Sequence, residues 1–210
     1  VHIASDRNLI DARFPVQYVI RPQSDDHHDY RGYAGTVAGG VFKPGDEVMV
    51  LPSGFTTTIA SIDTFDGPVD EAFPPMSVTI RLTDDLDVSR GDMICRPHNQ
   101  PTAGQDIEAM VCWMSESTSL ALRMKLAVKH TTRSARVMVT DLQYRIDVNT
   151  LHRDDSATSL GLNEIGRVSL RCTHPLFFDE YRRNRFTGSF ILVDESTNNT
   201  VAAGMILGET

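Results

Sequence analysis

The stretch YRRNRFTGSFILVDESTNNTVAAGMI, from Tyr181 to Ile206, carries the clearest β-pattern in the chain. Phe190 and Leu192 occupy alternate positions, which places them on one face of a strand. The polar run Asp194–Asn199 is long enough for a hairpin loop, and its asparagines tolerate left-handed backbone. The chain then returns as a last strand, in which Gly204 indicates a close crossing of strands at a barrel seam. The pattern predicts a hairpin that closes a β-barrel.

Alternating apolar and polar residues recur along the rest of the chain, and turn-forming residues bound each run. Helical periodicity is nearly absent, and we expect short helices only near Val1–Ala4 and Asp155–Leu160. Many short strands without intervening helices favour an all-β protein built from sandwiches or closed barrels. The predicted strands are residues 14–20, 47–51, 77–82, 106–114, 120–128, 134–146, 166–172, 188–194 and 200–206.

A domain boundary is predicted at RPHNQPTAG, residues 96–104, because prolines, glycine and small polar residues separate strand patterns on either side. We therefore expect a first barrel at residues 13–97, a linker at 98–102 and a second barrel at 103–207. Residues 1–12 read as a connector from an upstream domain.

Net charge, apolar runs and cysteine spacing exclude several classes of function. The net charge of −8 disfavours a nucleic-acid partner, since neutralising phosphates requires clustered Lys and Arg. No apolar run approaches the roughly 20 residues of a membrane helix, and we see no signal peptide at the start. Cys95, Cys112 and Cys172 are widely spaced, which is typical of reduced thiols and not of a zinc site. We expect a cytoplasmic protein without a membrane partner.

The glycine-rich stretch Gly32–Gly54 is a candidate phosphate cradle. It lacks the G-x-x-x-x-G-K-[ST] pattern and a following helix, so we expect a hairpin in which glycine permits close backbone approach. Pro44-Gly45 predicts a type II turn. His27 and His28 lie among aspartates, where a solvated acidic loop is favoured over adventitious metal binding.

Two basic clusters stand out in this acidic chain. Each has two interpretations: a solvated barrel edge whose charge discourages edge pairing, or a docking surface for an acidic partner or another domain of the same protein. The candidate contact residues are Lys125, Lys129, Arg133 and Arg136 in one cluster, and Arg182, Arg183 and Arg185 in the other.

Several motifs resemble the second domain of translation GTPases of the elongation factor Tu type. They are Gly35–Val37, Gly40–Val41 and Pro44–Val48, with Asp87–Ile94 as the closing strand of the same barrel. Further stretches narrow the resemblance to the large, GTPase subunit of bacterial sulfate adenylyltransferase, which some bacteria carry fused to adenylylsulfate kinase. These stretches are residues 13–22, 30–36, 50–54 and 64–67, and above all Tyr181–Ile206.

The resemblance implies two Greek-key barrels, equivalent to domains 2 and 3, from a larger enzyme that makes adenylylsulfate and pyrophosphate from ATP and sulfate. GTP and Mg would bind in a separate GTPase domain, and a small subunit would carry the adenylyl transfer. The expected partners are that GTPase domain, the small catalytic subunit and a fused kinase domain where one exists. We expect no catalytic, cofactor-binding or metal-binding residue in this chain. A translation-type module for RNA or aminoacyl-tRNA, and a stand-alone barrel adaptor, remain as alternatives.

Overall fold

The computed structural model describes residues 7–22 and 30–209, and every regular element within those ranges is a β-strand. The expected all-β fold of two antiparallel barrels is confirmed. The chain divides into two compact units between Pro101 and Thr102. Nothing in these ranges forms a helix of the length and apolarity needed to cross a bilayer. The helix predicted at residues 1–4 and the paired histidines 27 and 28 lie outside the described residues.

The first barrel is a sheet of six strands that closes on itself, with a short seventh strand, β5, at one side. The order is β3-β7-β1-β2-β6-β4, and β3 also pairs with β4, which completes the ring. Its strands are β1 (Arg13–Ile20), β2 (Gly32–Thr36), β3 (Glu47–Leu51), β4 (Phe55–Thr64), β5 (Gly67–Pro68), β6 (Ser77–Leu82) and β7 (Met93–Cys95).

Glycine permits close backbone approach in the first barrel, as the sequence predicted. A Cβ on Gly40 would lie 2.4 Å from the Cα of Ala12, and Gly40 has a φ of +67°. Gly45 also has positive φ, at +91°, as a type II turn at Pro44-Gly45 requires. The Gly32–Gly54 stretch is therefore built as strands and turns.

Sequence reasoning missed β4, because its threonines hide the apolar pattern. Ile59 and Ile62 are both buried although three positions separate them, which breaks the two-residue period of a strand. The register against β6 shifts between Ile59 and Ser61, and this irregularity returns the second isoleucine to the core.

A buried polar hub joins the start and the end of the first barrel. Arg13 is 0% exposed, and its guanidinium donates to the carbonyl oxygens of Ala12 (2.9 Å) and Asn99 (2.6 Å) and to Asn99 Oδ1 (3.0 Å). Asn99 and Asn8 both donate to the buried carboxylate of Asp11. Residues 8–12, expected to form a connector, therefore pack onto the barrel.

The second barrel also has six strands in its ring, and they are longer. The order is β10-β15-β16-β8-β14-β11, closed by pairing of β10 with β11; β12 pairs outside the ring, and β9 pairs with β13. Its strands are β8 (Thr102–Trp113), β9 (Leu120–Ala121), β10 (Lys125–His130), β11 (Arg133–Ile146), β12 (Arg153–Asp154), β13 (Ser159–Leu160), β14 (Ile165–Phe178), β15 (Ser189–Val193) and β16 (Thr200–Glu209).

Two expectations for the second barrel were wrong. Asp155–Leu160 forms a turn and a short strand, because the Asp154 carboxylate accepts hydrogen bonds from the backbone and hydroxyl of Ser156 and holds the chain in a turn. The predicted strand 120–128 splits into β9 and β10 around Arg123, whose φ is +63°.

Gly204 lies in the hairpin of β15 and β16, as predicted. The group closest to it is a side chain, however, and not the backbone of a crossing strand. Phe190 is its cross-strand partner, and a Cβ on Gly204 would lie 2.2 Å from the Phe190 ring. The ring occupies the space that the glycine leaves, and Phe190 and Leu192 both face the core, as the alternation predicted.

Candidate docking surface

The first basic cluster lies on the hairpin of β10 and β11. Lys125 and Lys129 are exposed, whereas Leu126 and Val128, which lie between them in the sequence, are buried. The two lysines therefore share the outer face. The turn at residues 131–132 pairs His130 with Arg133 and brings the exposed Arg136 opposite Ala127. The hairpin thus gathers the four predicted cations on one element.

The second basic cluster lies on the loop at residues 179–188, between β14 and β15. Asn184 fixes its shape, since the side-chain oxygen accepts from the backbone N–H groups of Phe186 and Thr187. The loop is tied to β16 because Tyr181 N donates to Ile206 O, and Ile206 N donates to Gly188 O. Arg182, Arg183 and Arg185 are exposed on this loop.

A buried polar contact joins the two clusters. His130, 1% exposed, places its Nε2 2.7 Å from the carbonyl oxygen of Thr187, so the neutral ring donates from Nε2. The Thr187 hydroxyl donates to the buried carboxylate of Asp179 at 2.8 Å. Burial lowers the pKa of His130, and the hydrogen bond to Thr187 and the Asp179 charge only partly offset this. The hairpin and the loop therefore form one surface.

Arginines of both clusters contact neighbouring side chains. Arg136 Nε donates to Glu195 at 2.7 Å, and Arg182 Nε donates to Glu180 at 2.6 Å. The Arg133 guanidinium stacks on the Phe177 ring at 5.0 Å. Both ion pairs are solvent-exposed, which leaves these side chains able to exchange partners at little cost.

Between the clusters lies a groove of about 730 Å³ on the outside of the second barrel. Lys129 and Thr131 line its hairpin side, and Tyr181 and Phe186 line its loop side. Its floor is apolar, formed by outward positions of β8, β14, β15 and β16: Met110, Cys112, Ile165, Ile191, Ala203 and Met205. We call this the barrel 2 groove.

Sequence reasoning predicted the cations but missed the groove floor. The signal was present in Ala109–Met114, where apolar residues run without alternation. A strand that is apolar on both faces has a second face to cover.

The cysteines of the second barrel differ in exposure and in reactivity. Cys172 is buried and its pKa is raised to about 12, chiefly by that burial, so it is not a thiolate at neutral pH. Within residues 7–22 and 30–209, no three His, Cys, Asp or Glu side chains cluster as a metal site would require. Cys112 is the partly accessible cysteine, on the groove floor.

Comparison with known proteins confirms the resemblance that the sequence predicted. Residues 106–207 match the family described as GTP-eEF1A C-terminal domain-like. The chain is 61% identical, over 99% of its length, to the bifunctional enzyme CysN/CysC of Mycobacterium tuberculosis, and covers 34% of that protein. It is 48% identical, again over 99% of its length, to sulfate adenylyltransferase subunit 1 of Bacteroides fragilis, and covers 42% of it. The chain thus spans between a third and somewhat under half of these relatives.

Solved structures support the fold. The chain superposes on a crystal structure of sup35 complexed with GDP with a TM-score of 0.83, covering 97% of this chain and 48% of that one. The sequence identity is 19%, so this likeness bears on the fold alone.

Proposed function

We propose that this chain, a relative of sulfate adenylyltransferase subunit 1 and of CysN/CysC, is the non-catalytic two-barrel portion of a sulfate adenylyltransferase GTPase subunit. The observation that carries the proposal is the 61% identity across both barrels to CysN/CysC. The matched region of 207 residues includes both barrels. The parent enzyme would convert ATP and sulfate to adenylylsulfate and pyrophosphate, with GTP hydrolysis driving the reaction.

In this proposal the reacting groups belong to other parts of the enzyme. GTP and Mg bind in a GTPase domain of the parent protein, and the small subunit transfers the adenylyl group. In a fused parent, a kinase domain would act on the product. The net charge of −8 opposes a polyanionic partner, which favours this proposal over a translation-type role.

The barrels would couple the GTPase domain to the small subunit. Each barrel is a closed sheet in which every ring strand pairs on both sides, so each resists bending. A rigid body can transmit a change made at one surface to a partner at another. Coupling then requires contacts that differ between the GTP and GDP states of the parent protein.

A competition assay tests the proposal. Sulfate adenylyltransferase is reconstituted from the small subunit and the full-length GTPase subunit, and GTP-dependent release of pyrophosphate is measured. Excess 210-residue chain is expected to inhibit the reaction by occupying the small subunit, and added small subunit is expected to restore the rate. The chain alone is expected to hydrolyse no GTP. GTP hydrolysis that scales with the purity of the chain, or an unchanged rate at high excess, would contradict the proposal.

A further inference from the structure

The outer face of the second barrel is divided between two kinds of side chain. On one part, ion pairs cover the strands: Arg171 binds Asp106 through two hydrogen bonds, and Arg167 pairs with Glu108. In the barrel 2 groove the equivalent outward positions are apolar. An outer face that is ionic in one place and apolar in another marks the apolar part as a surface to be covered.

The rim of the groove carries charge opposite to that of the whole chain. Lys129 lines its wall, and Arg182, which pairs with Glu180, directly follows the lining residue Tyr181. Within a chain of net charge −8, this concentration of positive charge favours an acidic partner.

The floor and the loop side of the groove suit side chains of a protein partner. Phe186 is 49% exposed and Met205 is 40% exposed, so both present apolar surface to solvent. Aromatic and methionine side chains are enriched in the buried centres of interfaces, and methionine adapts to the shape of what it meets. Because the floor is apolar and only the rim is charged, the pattern fits a protein segment better than a nucleic-acid backbone.

We propose that the barrel 2 groove is the docking site for an acidic amphipathic segment of a partner protein. Resting on the proposed function, this partner is the small catalytic subunit of sulfate adenylyltransferase. Apolar side chains of the segment pack on Met110, Cys112 and Met205, and its carboxylates meet Lys129 and the arginines of the loop. The apolar centre supplies the affinity, and the charged rim sets the rate and register of association.

Cys112 provides a reporter within the site. It lies on the groove floor and is partly accessible, whereas Cys95 and Cys172 are buried. The experiment follows alkylation of Cys112 in the 210-residue chain by N-ethylmaleimide, using mass spectrometry, with and without saturating small subunit. Docking in the groove is expected to slow alkylation of Cys112 by about tenfold or more.

Two substitutions and one control sharpen the experiment. Met205→Glu places a charge on the floor and Lys129→Glu reverses the rim, so each is expected to weaken binding of the small subunit by about tenfold or more. Leu151→Glu is the matched control, because Leu151 is 76% exposed and does not line the groove. It is expected to bind as the unmodified chain does. Melting temperatures of all three variants establish that they are folded.

The possible outcomes separate this inference from the proposed function. If the small subunit binds the chain but neither protects Cys112 nor responds to Met205→Glu, the groove assignment is wrong while the proposed function stands. If Cys112 is already protected in the full-length GTPase subunit alone, the occupant is the parent protein's own chain, and the assignment to the small subunit is overturned. If the small subunit binds neither the chain nor the full-length subunit, the proposed function fails as well.

Discussion

The first barrel is closed by β7, a strand of three residues, whereas every ring strand of the second barrel has at least five residues. The first barrel adds a buried polar hub, in which Arg13 binds Asn99 across the seam. The second has the larger apolar core, which includes Trp113. The comparison indicates that a short closing strand is reinforced by buried hydrogen bonds, while long strands rely on apolar burial.

The hub gives the largest expected effect. Arg13→Met leaves the Asn99 carbonyl and the Asp11 network short of a buried donor, which is expected to destabilise the first barrel by about 3 kcal/mol or more. Urea unfolding followed by circular dichroism reports both barrels, while fluorescence of Trp113, the single tryptophan, reports the second. We expect the dichroism transition to shift and the fluorescence transition to stay in place.

Arg90→Met is the control for Arg13→Met, because Arg90 lies in the same barrel but is exposed. It is expected to change neither transition. If fluorescence of Trp113 shifted as far as dichroism in Arg13→Met, the two barrels would not have the separate stabilities that the comparison assumes.

In the second barrel, a side chain added at Gly204 would meet the Phe190 ring, and this crowding can be relieved by making residue 190 smaller. Gly204→Ala forces a Cβ against the Phe190 ring and is expected to cost about 1–3 kcal/mol, seen as an earlier transition of Trp113 fluorescence. Adding Phe190→Leu is expected to recover part of this loss, because the smaller side chain makes room. A double variant no more stable than Gly204→Ala would indicate that the backbone, and not the ring, limits this position.

Some strands of the two barrels could be predicted from the sequence and others could not. Alternation predicted β3 and β6 with their observed bounds, and β1 within one residue. It failed at β4, where an irregular register moves Ile62 inward, and at residues 155–160, where an aspartate-serine turn replaces a helix. Such local irregularities depend on the partner strand, which a single sequence does not specify.

Only part of the candidate site could be predicted, because the rest also depends on how the strands pair. Lys129 and Arg182 stand out as charges in the sequence, but they lie more than fifty residues apart. The pairing of β10 with β15 and the buried contact of His130 with Thr187 bring their segments together. The outward direction of Met110 and Met205 depends on strand register, so the groove itself could not be derived from the pattern.

The second barrel is also expected to respond to pH through His130. Burial lowers its pKa, so the folded barrel keeps this ring neutral where the unfolded chain, with a pKa near 6.5, binds a proton. Stability is therefore present above about pH 6.5 and is lost as the pH falls below it. Melting followed by Trp113 fluorescence from pH 7.5 to 5 measures this loss, and His130→Gln is expected to flatten the dependence. An equal slope in both proteins would assign the effect to other groups.

The smallest effect is expected at the ionic part of the outer face. Arg171→Gln removes an exposed pair with Asp106, and solvent screens such pairs, so we expect no resolvable change in melting temperature. The same comparison in low and high salt checks this expectation. A clear loss of stability in low salt would show that the ion pairs support the second barrel alongside its apolar core.

The central claim is that these barrels dock a partner and perform no chemistry. Size-exclusion chromatography with light scattering, on a mixture of the 210-residue chain and the small subunit, tests it most directly. We expect one species with the summed mass of one chain and one small subunit, which Met205→Glu dissociates and Leu151→Glu preserves. Separate elution of the two proteins at concentrations where the full-length GTPase subunit forms a complex would contradict it.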